Sequence, residues 1–294
     1  MRPARDTVLL GPVSLDRYVQ QQTVLPGGGA LNMAFHWAER GFPFHLLTRV
    51  GDDHPETFVD FLFHHRIEHS ADSITGRGES ASIDIAMGDD RQPWMDNFIE
   101  GVWSDFRLTT DEEALLAAAR RLHVVLVDPA TREVHRLGAS GGLDRLEVSG
   151  DFLSFRHYSV QRFAETMTHL ALGFVGWPGE QADPTVDGIR EVAFDLRRLV
   201  VVTMGARGVL VFDGRNEPIE RFVPVDPLPV AGTTVGCGDA FIAAFLSIWW
   251  ADADRDGSLD RALELGKRAG ALATTWIRPL PDDAYGGLAL GPSG

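Results

Sequence analysis

Short apolar runs alternate with helical stretches along nearly the whole of this 294-residue chain, and that alternation most limits the folds open to it. Apolar runs at Val8 to Gly11, Leu46 to Val50, Val124 to Val127, Leu172 to Gly176, Val200 to Thr203 and Val209 to Phe212 predict strands. Between and after them, helices are predicted over Ala30 to Arg40, Glu56 to His65, Asp111 to Arg121, Val160 to His169, Val186 to Arg197, Asp239 to Trp250 and Ser258 to Trp276. Strands separated by helices pair in parallel, and the helices then cover both faces of the sheet. Ser80 to Met87 alternates with period two, which predicts a strand with one apolar face. No internal repeat interrupts the pattern. The expected fold is therefore α/β, with a central, mostly parallel sheet. At 44% hydrophobic and 23% charged residues the chain can bury a large core as a single domain, expected over 1–278. The Pro- and Gly-rich stretch 279–294 reads as a loosely attached tail.

Composition narrows the function classes. A formal net charge of -15 argues against general nucleic-acid binding. No apolar run approaches membrane-spanning length, and Met1 to Asp6 leads into a strand without a signal-peptide core. The single cysteine, Cys237, leaves no internal disulfide, so a cytoplasmic location is expected.

The most chemically suggestive stretch is Gly232-Thr233-Thr234-Val235-Gly236-Cys237-Gly238-Asp239-Ala240-Phe241, where a loop becomes an apolar helix. Gly236 and Gly238 let backbone N–H groups crowd an anion, and the positive end of the helix favours negative charge. Asp239, in the first turn, is placed to accept a proton from a hydroxyl. The same residues also make an ordinary helix start. A thiol at a helix N-terminus can be a nucleophile, but Cys237 has no identifiable histidine partner and reads better as a small residue in a tight turn.

A second glycine cluster, Gly27-Gly28-Gly29-Ala30-Leu31-Asn32-Met33-Ala34, follows Asp16 and precedes Arg49-Val50-Gly51-Asp52-Asp53. Taken in order with the Gly236 to Asp239 turn, these segments resemble the ribokinase (PfkB-type) family of sugar kinases from about Val8 to about Ile277. The resemblance implies a ribokinase-like three-layer sandwich with a small β lid, from segments near 17–26 and 79–101, over the sugar. It implies that Asp16, Gly27, Gly28 and Asn32 bind the sugar, that Asp239 is the base, and that Gly236, Cys237 and Gly238 form the anion hole. The ordinary alternatives are a strand-end cap for Asp16 and local backbone bonding for Asn32.

Val200 to Phe212 reads as strand, turn, strand, and resembles the family's ATP-binding turn, with Thr203, Gly205 and Gly208 on the nucleotide. The alternative is a plain β-hairpin. ATP and Mg²⁺ are the implied cofactors, and the acidic chain would have to gather local donors against the repulsion of ATP. Glu180, in Trp177-Pro178-Gly179-Glu180, is the one candidate on the metal side, with Trp177 where the family commonly has Asn. Thr233 stands where the family commonly has an Asp that helps hold a monovalent cation, so that requirement is in doubt. A lid of this kind also commonly makes a dimer contact, so a homodimer through the lid is expected.

Trp94 to Leu108 is similar to the corresponding run of bacterial fructoselysine 6-kinases. Asp96 and Glu100 then become candidates to pair with a substrate ammonium, against the plainer reading of a solvated acidic loop. A nucleoside kinase of the same family and a non-catalytic sugar-binding homologue are the alternatives. His64, His65 and His69 cluster without cysteine companions and read as a polar helix end rather than a zinc site.

Overall fold

The computed structural model describes residues 6–74, 76–88, 93–252 and 255–286. The strands are β1 (Thr7–Leu10), β2 (Ser14–Tyr18), β3 (Thr23–Gly27), β4 (His45–Leu47), β5 (Ser82–Met87), β6 (Pro93–Ile99), β7 (Arg121–Val125), β8 (Glu147–Ser154), β9 (Leu172–Gly176), β10 (Leu199–Thr203), β11 (Val209–Asp213) and β12 (Ile219–Val223). The helices are α1 (Gly29–Glu39), α2 (Pro55–His64), α3 (Thr110–Ala118), α4 (Asp128–Ala139), α5 (Val160–Met167), α6 (Pro184–Asp195), α7 (Cys237–Trp249) and α8 (Arg255–Ala273). The chain divides into two compact units, residues 1–8 with 107–227, and residues 9–106 with 228–294.

The first unit is built on strands in the order β12-β11-β10-β9-β8-β7. β7 to β10 pair in parallel, whereas β10, β11 and β12 pair antiparallel. Val200, Val201 and Val202 are fully buried, as expected of a strand covered on both faces. β8 and α4 are not evident in the hydrophobic pattern. Gly150 and Asp151 interrupt the apolar run of β8, yet a Cβ on Gly150 would lie 2.6 Å from Leu126 Cδ1, so packing selects glycine there. α3 starts on a capping box formed by Thr109 and Glu112 and stops at Ala118, short of the predicted Arg121, because Arg121 is already pairing with Glu147 in the sheet.

The second unit holds β4, the last residues of β1, and a separate four-stranded sheet in the order β3-β2-β5-β6. That sheet corresponds to the expected lid segments. α7 packs on α8 and on α1. Small residues permit the first contact: Ala240, Ala244, Ala269 and Ala273 form a buried cluster, and a Cβ on Gly270 would stand 3.2 Å from the Cys237 carbonyl. The second is pinned by Trp37, whose indole N–H donates to the Ala243 carbonyl at 2.9 Å. The N-termini of α1 and α7 are thereby held by rigid helices. The first part of the supposed tail is also packed: Leu280, Ala284 and Tyr285 are buried, and His65 Nε2 lies 2.7 Å from the Ala284 carbonyl oxygen. Residues 287–294 lie outside the described residues.

Candidate active site

Period-two alternation puts Ser14, Asp16 and Tyr18 of β2 on one face of the small sheet. Asp16 is 3% exposed, and the Ser14 hydroxyl donates to its Oδ1 at 2.6 Å. The opposite strand makes room for the carboxylate, since a Cβ on Gly27 would lie only 2.0 Å from Asp16 Oδ2. Gly28 then turns the chain into α1 with φ of +90°, a conformation L side chains rarely adopt. One turn in, Asn32 is buried, and its Nδ2 donates to Asp239 Oδ2 at 2.8 Å across 207 residues of sequence. Asn32 Oδ1 is buried and has no protein partner.

Asp239 sits in the first turn of α7, after Gly236 with φ of +81°. The N–H groups of Gly238 and Asp239 precede the first helical carbonyl partner. Gly238 is exposed, and no atom comes within 4 Å of where its Cβ would stand. Burial raises the Asp239 carboxyl to about 6, opposed by the Asn32 hydrogen bond. Burial raises Asp16 to about 7, with the Ser14 bond opposing and the Asp239 charge adding to the rise. Two carboxyls that influence one another and are ionised only near neutrality are a common mark of acid–base chemistry. Burial and the Asp239 charge push the Cys237 thiol up to about 12, the opposite direction from an activated cysteine nucleophile.

The remaining site candidates lie elsewhere. Asp96 pairs with Asp84 across β5 and β6, and Asp84 with Arg17 across β5 and β2, so Asp96 is on the face of the small sheet opposite to Asp16. It accepts from its neighbour Asn97 N–H, and Glu100 begins the short turn before Val102. The structure does not gather Asp96 beside Asp16. Exposed Trp94, Met95, Phe98 and Ile99 follow one another along β6. Asp52 and Asp53 are structural: they accept from Gly78 N–H and from the Ser80 N–H and hydroxyl, tying the turn to the base of β5.

In the first unit, Thr203 ends β10 and Gly205 opens a single 3₁₀ turn with φ of +60° and no neighbour within 4 Å of a Cβ position. Gly208 has φ of +124° and lies under the Phe222 ring. Glu180 is exposed and paired with Arg207 at 3.2 Å. Among the described residues no three His, Cys, Asp or Glu side chains form a metal cluster, so the protein side of any Mg²⁺ site would rest on one or two carboxylates, with phosphate oxygens supplying the rest. Thr233 is fully buried and its hydroxyl accepts from Val235 N–H, closing the turn before Gly236. His64 and His65 pack edge to face, and His65 faces Phe61, which supports the structural reading of that cluster. No helix among the described residues is long and apolar enough to cross a membrane.

Sequence reasoning missed Ser14, Tyr18, Tyr285 and Arg278. Ser14 and Tyr18 were available from the alternation about Asp16, but no local pattern singles out the last two.

Residues 166–277 match the description "pfkB family carbohydrate kinase". The chain is 28% identical over 241 residues to fructoselysine 6-kinase of Escherichia coli (strain K12), covering 82% of this chain and 87% of that one. It is 26% identical to cytidine kinase of Thermococcus kodakarensis, covering 92% and 97%. The fold matches that of ribokinase from Giardia lamblia with a TM-score of 0.75 at 14% identity, over 96% and 98% of the two chains.

Proposed function

We infer that this chain, which belongs to the pfkB family of carbohydrate kinases, transfers the γ-phosphate of ATP to a hydroxyl of a sugar derivative, with a fructosamine as the favoured acceptor class. The observation that supports the reading is the 2.8 Å bond from Asn32 to Asp239, which joins the helix after the first glycine motif to the helix after the second. Asp16 would accept hydrogen bonds from the sugar's hydroxyls, and the unpartnered Asn32 Oδ1 would accept another. A hydroxyl so held faces Asp239, which takes its proton as the oxygen attacks phosphorus. The amides of Gly236 to Asp239 would stabilise charge on the transferring phosphoryl group.

Mg²⁺ bound to the nucleotide neutralises phosphate charge. Thr203, Gly205 and Gly208 are assigned to the nucleotide, and Glu180 to the metal side. The long similarity to a cytidine kinase favours one alternative acceptor class, a nucleoside. The apolar side chains exposed on β6 support pairing of two copies through the lid, which sedimentation would test.

The deciding experiment is ADP release with Mg-ATP over ketoses, aldoses, fructosamines including fructoselysine, and nucleosides. Turnover of fructosamines above the rest supports the reading, and selective nucleoside turnover replaces it. Sugar binding without ADP release would point to a non-catalytic sugar-binding protein.

A further inference from the structure

Tyr18 ends the strand that carries Asp16, on the same face, and is 3% exposed, yet its hydroxyl has no hydrogen-bond partner. A buried hydroxyl left unpaired loses its hydrogen bonds to water without replacement, so a fold that keeps one invites a reason. Nearby, Arg278 holds Asp282 through Nη1 at 2.7 Å while its Nε–H is buried and unpartnered. A Cβ on Gly232 would lie 2.3 Å from Ile277 Cα and one on Gly236 2.9 Å from Pro279 Cβ, so the segment that carries Arg278 packs against the turn leading into Asp239, and the charges of Asp16 and Arg278 both bear on Tyr18. Burial holds the Tyr18 phenol above its usual range, so it remains a donor at neutral pH.

Strand register sets the direction. Ser14 lies opposite Gly27, at the end of the pocket next to α1 and Asn32, and Tyr18 lies opposite Thr23 at the other end of the strand. Asp16 is midway. At roughly 3.4 Å per residue, Tyr18 is about 7 Å further along than Asp16 from the end that carries Asn32.

We propose that Tyr18 Oη–H and Arg278 Nε–H are a second pair of acceptor-binding donors, holding an oxygen of the sugar derivative remote from the hydroxyl that Asp239 deprotonates. Both groups are donors, so their common ligand is a hydrogen-bond acceptor: a ring, carbonyl, hydroxyl or carboxylate oxygen. These residues position and select the acceptor and take no part in proton transfer. The inference rests on the kinase reading above.

The test compares wild type, Tyr18→Phe, Arg278→Lys and the double variant, with Mg-ATP and fructose, fructoselysine or cytidine, together with thermal unfolding. Tyr18→Phe keeps the ring and removes the unpaired hydroxyl, so its Tm should hold or rise. Its acceptor KM should increase about 3- to 15-fold with kcat within about twofold. Arg278→Lys keeps the charge and loses Nε–H, and its acceptor KM should increase similarly. Because both donors serve one oxygen, the loss in the double variant should fall short of the product of the single losses. A fall in Tm for Tyr18→Phe with unchanged acceptor KM shows a structural hydroxyl and overturns the proposal. Wild-type turnover with unchanged KM in both single variants overturns it alone. Wild-type silence toward these three and toward the whole ketose, aldose, fructosamine and nucleoside panel overturns the kinase reading and the proposal with it.

Discussion

Replacing Asp239 by Asn should make the protein more stable and nearly inactive, and the two effects have one origin. The carboxyl is raised from 3.8 to about 6 by burial, against the pull of the Asn32 bond. At about 1.4 kcal/mol for each pH unit, the ionised group destabilises the folded chain by about 3 kcal/mol. The sign follows from the raised folded-state pKa. The penalty is absent below about pH 4, where the group is protonated folded and unfolded, grows as pH rises toward 6, and is complete above that. An asparagine keeps the shape, and its amide oxygen can still accept from Asn32 Nδ2, but it carries no charge. Allowing for desolvation of the amide, about 1–3 kcal/mol should be regained at pH 7.5, seen as a rise in Tm of about 2 to 5 °C. Turnover, measured as ADP release, should drop about 10² to 10⁴-fold in kcat because the base is gone, with acceptor affinity nearly unchanged. Thermal unfolding at pH 7.5 and pH 4.5 checks the linkage, since the gain should fade at the lower pH. A fall in Tm at pH 7.5, a gain indifferent to pH, or kcat within tenfold of wild type would refute the reasoning.

Other consequences can be checked separately. Because Asp239 must be ionised to act and Asp16 must be ionised to accept the sugar's hydroxyls, log(kcat/KM) should fall as pH drops below about 7 and steepen toward a slope of two below about 6, and Asp239→Asn should lose the steeper limb and keep a slope of one. Gly27→Ala should force the Asp16 carboxylate aside, since the new Cβ would lie 2.0 Å from Oδ2, raising acceptor KM more than about tenfold with ATP KM unchanged. Asp16→Ala should mainly weaken acceptor binding, and calorimetry showing unchanged affinity would remove Asp16 from the ligand set. Gly208→Ala places a side chain at φ of +124° beneath Phe222, so it should lower Tm and raise ATP KM several-fold, and an unchanged ATP KM would argue against that turn as a nucleotide site.

The sequence by itself determined the class of fold and the parts of the site whose chemistry is local. Strands with unbroken apolar runs, such as Leu172 to Gly176, were legible because a strand buried on both faces leaves no polar alternation. The turns at Gly28 and Gly236 were legible because positive φ writes itself as glycine, and the acids beside them stand at fixed offsets from a helix start. β8 was not legible, since Gly150 is chosen by the side chain of Leu126, which no local pattern encodes. Only the tertiary structure decided which acids share a pocket. Asp16 and Asp239 meet because α1 and α7 are locked by Trp37 and by the small residues of α8, whereas Asp96, equally acidic and equally near the lid, is turned to the other face by register. The same packing raises the Asp16 and Asp239 carboxyls toward neutrality, because desolvation depends on what surrounds a group in space and not on its neighbours in sequence.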